Sequence, residues 1–197
     1  MIYFTSDFHL GHENVIKFQN RPFSNVEEMN KVLIINYNSL VKKEDICYIL
    51  GDIAHHIPVE KTNELISKLN GKKFLIKGNH DKNYDESLFS GIYDLCEKSF
   101  SHKDFHRFFV LMHYPLLSWH KANSGAIHLH GHIHSDGSYN KKNYEKHIFR
   151  YDVGVDANNY FPVSIEQIYN FFKDIIDDPL EIHGIESDFD VYEDENE

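Results

Sequence analysis

Clusters of oxygen- and nitrogen-bearing side chains punctuate this 197-residue chain: Asp7-Phe8-His9, Gly51-Asp52, Gly78-Asn79-His80-Asp81, His113 and Gly131-His132-Ile133-His134. Carboxylate and amide oxygens mixed with imidazole nitrogens, and no cysteine among them, suit borderline divalent ions such as Mn²⁺, Fe²⁺, Ni²⁺ or Zn²⁺. The clusters lie far apart in sequence, so only the fold can gather them. That is the layout of a preformed catalytic centre. A local zinc finger takes its ligands from close neighbours along the chain.

The elements that must position these residues are legible from apolar runs. Ile2-Tyr3-Phe4, Ile46–Leu50 and Lys73–Ile76 read as buried strands, each ending at a cluster. Between them, Ser24-Asn25-Val26-Glu27 reads as a capping box opening a helix through about Val41, with Val26, Met29, Leu33, Tyr37 and Leu40 on one face. Pro58 suits the first turn of a second helix, with Asn70-Gly71 as its C-cap. This is a βαβαβ unit with parallel strands, and open α/β sheets place their sites beyond the strands' carboxyl ends. The second half is richer in strand. Phe108–Met112 runs into His113, Ala126–His130 into Gly131, and Ile148–Val153 follows. Ser164-Ile165-Glu166-Gln167 caps a last helix through about Ile176.

In this order the clusters match D-x-H, G-D, G-N-H-[DE], a lone His and G-H-x-H, a pattern that resembles the calcineurin-like metallophosphoesterases from Asp7 to about Asp156. The resemblance implies an α/β sandwich of two mixed sheets flanked by helices. It implies two divalent ions, manganese foremost, with Fe²⁺, Ni²⁺, Zn²⁺ and Mg²⁺ also open. Asp7, His9, Asp52 and His134 would hold the first ion; Asp52, Asn79, His113 and His132 would hold the second, with Asp52 bridging. A hydroxide between the ions would attack phosphorus, the two metals clamping the attacking and leaving oxygens. His80 matches the family's catalytic histidine, able to bind a phosphoryl oxygen or protonate the leaving alkoxide. Asp81 would sit behind it as an orienting carboxylate. Position 55 departs from many branches, which carry Asp or Tyr there; His55 argues against a tyrosinate–iron centre.

Length bounds the chain to one domain, residues 1–176, followed by an acidic tail, 177–197, expected to be flexible. The formal charge of −11 is concentrated in that tail, which carries ten of the 31 acidic residues and no Lys or Arg. The remaining body is nearly neutral. Nucleic acid is therefore open as a partner but not favoured, since no basic stripe recommends it. Cys47 and Cys96 form no pattern, and no apolar run approaches a membrane span. A cleaved leader would remove the first cluster. A cytoplasmic, membrane-free protein is expected, its oligomeric state open.

Several residues carry two readings. Arg21 could grip a phosphate bidentately or form a stabilising ion pair. His12 and His55 could contact substrate or simply neighbour the clusters, as could His56. Tyr114 and Trp119 could stack a ring or pack a loop. His128 and His130 alternate along a strand, where one could support a ligand. The function expected is hydrolysis of a phosphomonoester or phosphodiester, with a small, phosphorylated and perhaps nucleotide-like substrate. A nuclease or RNA-end-processing enzyme of the same fold is the alternative, and a metal-free interaction scaffold a more distant one.

Overall fold

The apolar runs before the first three clusters form β1 (Ile2–Thr5), β2 (Ile46–Ile49) and β3 (Lys72–Ile76), paired in parallel in the computed structural model, which describes residues 1–103 and 105–176. The tail, 177–197, lies outside the described residues, and with it the expectation of flexibility. β4 (Gly91–Tyr93) extends the sheet in parallel beside β3, and a short antiparallel strand, β9 (Val163–Ser164), closes the other edge in the order β4-β3-β2-β1-β9. The second sheet is β5 (Leu95–His102), β6 (Phe105–Met112), β7 (Ile127–His130) and β8 (Arg150–Asp152), in that order. Only the β5–β6 hairpin is antiparallel. Both sheets are mixed, as expected of an α/β sandwich.

The first sheet is buried on both faces, as central parallel strands are. Along β2 and into the turn beyond it, Tyr48 and Leu50 face a core shared with Phe100, Phe109, Leu111 and Leu129 of the second sheet. Cys47 and Ile49 face the opposite way, onto Met29, Leu33, Tyr37, Leu65 and Ile66 of the helices. Five α-helices complete the fold among the described residues: α1 (Glu13–Phe18), α2 (Val26–Leu40), α3 (Val59–Ser67), α4 (Ser138–Glu145) and α5 (Ile165–Ile176). None among the described residues is long and apolar enough to cross a membrane.

Local details differ from the sequence reading at the helix ends. The α2 cap is shifted by one residue. Asn25 accepts the Glu28 N–H at 2.9 Å while the Glu28 carboxylate accepts from Ser24 N at 2.7 Å. Glu28 holds the third helical position, from which a side chain can reach back; Glu27 does not. Pro58 is the N-cap of α3 rather than part of its first turn, and α3 stops at Ser67, short of Asn70-Gly71. The α5 capping box is as read: Gln167 N–H donates to Ser164 Oγ and Ser164 N–H to Gln167 Oε1. β5 escaped detection because it is an edge strand with one fully buried side chain, Phe100, and so lacks an apolar signal.

Candidate metal centre

The clusters meet where the carboxyl ends of β1, β2, β3, β6, β7 and β8 converge. The loops after β1 and β2 are laced together beyond the strands: Asp7 N–H donates to Gly51 O at 3.0 Å, His9 N–H to Asp52 O at 2.9 Å and Leu10 N–H to Ile53 O at 2.8 Å. Asp7, His9, Asp52, His132 and His134 all have φ between 48° and 72°. A left-handed backbone at a non-glycine residue costs of order 1–3 kcal/mol and persists only where its surroundings over-determine it. Here the cost turns side chains inward at the strand ends.

The motif glycines answer a different need. A Cβ on Gly78 would strike the Asp52 carboxylate, and one on Gly131 would strike Ser6 Oγ and Asp7 Oδ2. These positions let backbone pass directly behind the carboxylates, so the glycine and its aspartate form one unit.

Two groups of donors result: Asp7, His9 and His134, and Asp52, His113 and His132, the atoms of each lying within 4.8 Å of one another. His9 Nε2 and His134 Nε2 stand 3.2 Å apart, as do His113 Nε2 and His132 Nδ1. Imidazole nitrogens about 2.0–2.1 Å from one ion stand roughly 3 Å from each other, so both pairs fit a shared cation. Asn79 Oδ1 joins the second group, 3.1 Å from His113 Nε2. Asp52 Oδ2 lies between the groups, 3.5 Å from His9 Nε2 and 3.6 Å from His113 Nε2. Its other oxygen, Oδ1, accepts the His80 N–H at 2.9 Å, which leaves Oδ2 aimed at both groups.

Supporting partners fix the rings. His113 Nδ1 donates to Leu50 O at 2.7 Å and His134 Nδ1 to Asp156 Oδ2 at 2.7 Å, so each presents an Nε2 lone pair. Burial pushes the Asp7 carboxyl up to about 7, against the pull of His134 and His113. Burial holds His9 far below the usual histidine range, reinforced by His134 and Arg21. A carboxyl whose charge burial opposes, beside a neutral imidazole, is an environment that suits a divalent ion. The donor chemistry therefore fits two such ions.

Two expectations are corrected. Arg21 is not a substrate contact. Its side chain is 0% exposed, Nε and Nη2 grip both Asp156 oxygens at 2.8 Å, and its remaining donors serve Phe8 O, Asp7 O and Met29 Sδ. The ion-pair reading holds, because the guanidinium ties the first cluster's backbone to Asp156. Asp81 does not stand behind His80 either. One oxygen accepts from Asp52 N at 2.7 Å and Gly78 N at 2.8 Å, the other from Ile53 N at 3.0 Å. It pins the Gly51-Asp52 loop to the Gly78 loop and so positions Asp52.

His80 is one-third exposed, with Nε2 3.9 Å from Asp52 Oδ2. His55 packs against it with ring centroids 3.8 Å apart, His56 follows at 3.7 Å from His55, and His12 lies 4.6 Å from His55. His12 and His55 thus rim the centre. Burial, aided by His80, His56 and His12, lowers His55 to about 4. Tyr114 is exposed beside His132, at 4.7 Å between centroids, whereas Trp119 is buried and donates to Ala126 O. His128 and His130 are fully buried; His128 accepts from Leu116 N and bonds Val110 O, a structural role.

Asp156 is the site residue that motif reading missed. Burial opposes its charge, yet bonds from His134 and Arg21 outweigh it and hold the carboxyl below the usual range. The only sequence signal was its place at the end of Asp152-Val153-Gly154-Val155-Asp156, after a strand.

The family model for calcineurin-like phosphoesterases matches residues 1–174. An uncharacterized protein of Methanocaldococcus jannaschii is 40% identical, over 87% of this chain and 91% of its own length. The gene 66 protein of Mycobacterium phage L5 is 30% identical, over 88% of this chain and 94% of its own. The crystal structure of a protein of unknown function from Aquifex aeolicus superposes with a TM-score of 0.67 at 30% identity, covering 86% of this chain and 98% of that one.

Proposed function

The chain belongs to the calcineurin-like phosphoesterases, and on that premise we propose that it hydrolyses a small phosphomonoester or phosphodiester with two divalent ions. Asp7, His9, Asp52 and His134 hold one ion; Asp52, Asn79, His113 and His132 hold the other. Manganese is the first choice for a mixed oxygen and nitrogen set without sulfur, with Fe²⁺, Ni²⁺, Zn²⁺ and Mg²⁺ as competitors. The observation that carries the reading is the single oxygen of Asp52 facing both donor groups. When bound, such a pair of ions supplies an activated water and neutralises phosphoryl charge.

The chain's own residues do the rest. His80, beside Asp52 and open to solvent, donates to a phosphoryl oxygen or gives its proton to the departing alkoxide. Asp81 and Asp156 act at one remove, holding the Asp52 loop and the His134 ring. His12 and His55 offer hydrogen bonds to the substrate at the rim. Free Cys47 and Cys96 are consistent with work in the reducing cytoplasm.

The test is a panel of nitrophenyl mono- and diesters, 2′,3′- and 3′,5′-cyclic nucleotides and short RNA, assayed on metal-stripped protein reloaded with each cation. Metal-dependent turnover of at least one small ester, absent from stripped protein, is expected. Protein holding two ions per chain but inert toward every ester would overturn the reading, and RNA cleavage alone would favour a nuclease.

A further inference from the structure

A cavity of about 270 Å³ opens beside the centre, between the loop after β2 and the loop after β3. His80 stands in its wall while also lying next to Asp52, so it borders both spaces. His55 and His56 carry the wall onward from His80, Ile57 adds an apolar surface and Tyr84 lines the cavity from the β3 loop. The metal ligands do not account for this hollow, and it has a chemical character of its own.

We propose that this cavity receives the alcohol that leaves phosphorus, and that it selects alcohols bearing a single planar ring. The proposal rests on the phosphoesterase reading and deepens it. Hydrolysis adds a water oxygen to phosphorus while the bond to the ester oxygen breaks. The departing oxygen keeps the bonding pair and takes one proton, and the donor must lie beside it. His80 is that donor and it also lines the cavity, so the rest of the alcohol extends from beside His80 into that space. The volume falls just below the roughly 300 Å³ at which pockets for drug-sized ligands begin, which admits one ring with small substituents. The His56 imidazole and the Tyr84 phenol line the cavity, and aromatic side chains reward a planar ring over an aliphatic group of equal size.

The experiment compares two phosphate esters with the same phosphoryl group, using the full-length, metal-loaded chain. One is the phenyl ester; the other carries a fluorinated acyclic alcohol of matched acidity, so that leaving-group chemistry cancels. The wild type is expected to favour the phenyl ester by on the order of tenfold in kcat/KM, the worth of one good aromatic contact. Tyr84→Leu removes the ring but keeps an apolar side chain against Phe89, and His56→Ala changes an exposed position; each is expected to move that ratio toward one. A second readout needs no turnover: phenol titrated into the protein, with and without metal, should shift the ring resonances of His56 and Tyr84. Equal kcat/KM for the two esters in the wild type, or a ratio unmoved in both variants, overturns the proposal. So do phenol shifts centred on exposed Tyr114 instead. Failure to hydrolyse these two esters and every ester of the wider panel with two ions bound would sink the phosphoesterase reading, and the phenol titration would still decide whether the cavity takes a ring.

Discussion

Replacing Arg21 by lysine should damage stability, not substrate affinity. The guanidinium makes four hydrogen bonds to oxygen from a fully buried position, two to Asp156 and one each to Phe8 O and Asp7 O, and a longer fifth to Met29 Sδ. A lysine ammonium keeps the charge but gathers its donors at one point, so it can serve about two of these four acceptors. Each buried acceptor left unpaired costs about 1–3 kcal/mol, which puts the loss near 3 kcal/mol. For a chain of this length that corresponds to a fall of about 6–12 °C in Tm. Arg21→Met, which strands the buried Asp156 charge, should cost about 3–5 kcal/mol and approach the total stability of an ordinary domain. Urea and thermal unfolding of the metal-free variants measure this directly. Because Asp156 also orients His134, elemental analysis should find the first ion held less tightly in both. An unchanged Tm combined with a raised KM would refute the reasoning and return Arg21 to the substrate.

Other outcomes follow from the same geometry. Asp52→Asn should abolish activity and lower bound metal from two ions toward one or none; two tightly held ions in that variant would disprove the bridging assignment. His80→Ala should retain both ions while turnover falls by about 10²–10⁴, with a smaller loss for nitrophenolate esters, which need no proton on departure. Metal affinity should depend on pH. The metal-free Asp7 carboxyl titrates at about 7, above its unfolded value, so the folded protein holds a proton there that binding must expel. His134 is raised as well, since its bond to Asp156 and the Asp7 charge outweigh the effect of burial. Affinity should therefore climb at least about tenfold per unit as pH rises toward 7 and flatten only once both protons are gone. The same Asp7 proton favours the metal-free fold at low pH, and that contribution disappears as pH rises through about 7. Calorimetry in buffers of different ionisation heat counts the protons released, and pH-independent binding below 7 would contradict the burial argument.

The order and chemistry of the clusters were readable from sequence because ligand atoms belong to residue types, and strands that deliver ligands end where their apolar runs end. Ile46–Leu50 leading to Asp52, and Ala126–His130 leading to His132 and His134, announce both facts without a fold. The helix caps were nearly as legible, since Ser164 and Gln167 satisfy each other within four residues. What sequence left undecided depended on partners distant along the chain. Arg21 reads equally well as a phosphate clamp or an ion pair until Asp156, 135 positions on, is brought against its Nε and Nη2. Asp81 follows His80 directly, yet its carboxylate turns away to the amides of Asp52 and Ile53, because three converging N–H groups outbid one neighbouring ring. The cavity beside His80 has no sequence signature at all, being the gap between two loops that lie far apart along the chain. Side-chain chemistry is written locally, but hydrogen-bond partners and empty space are properties of packing, and only the folded chain assigns them.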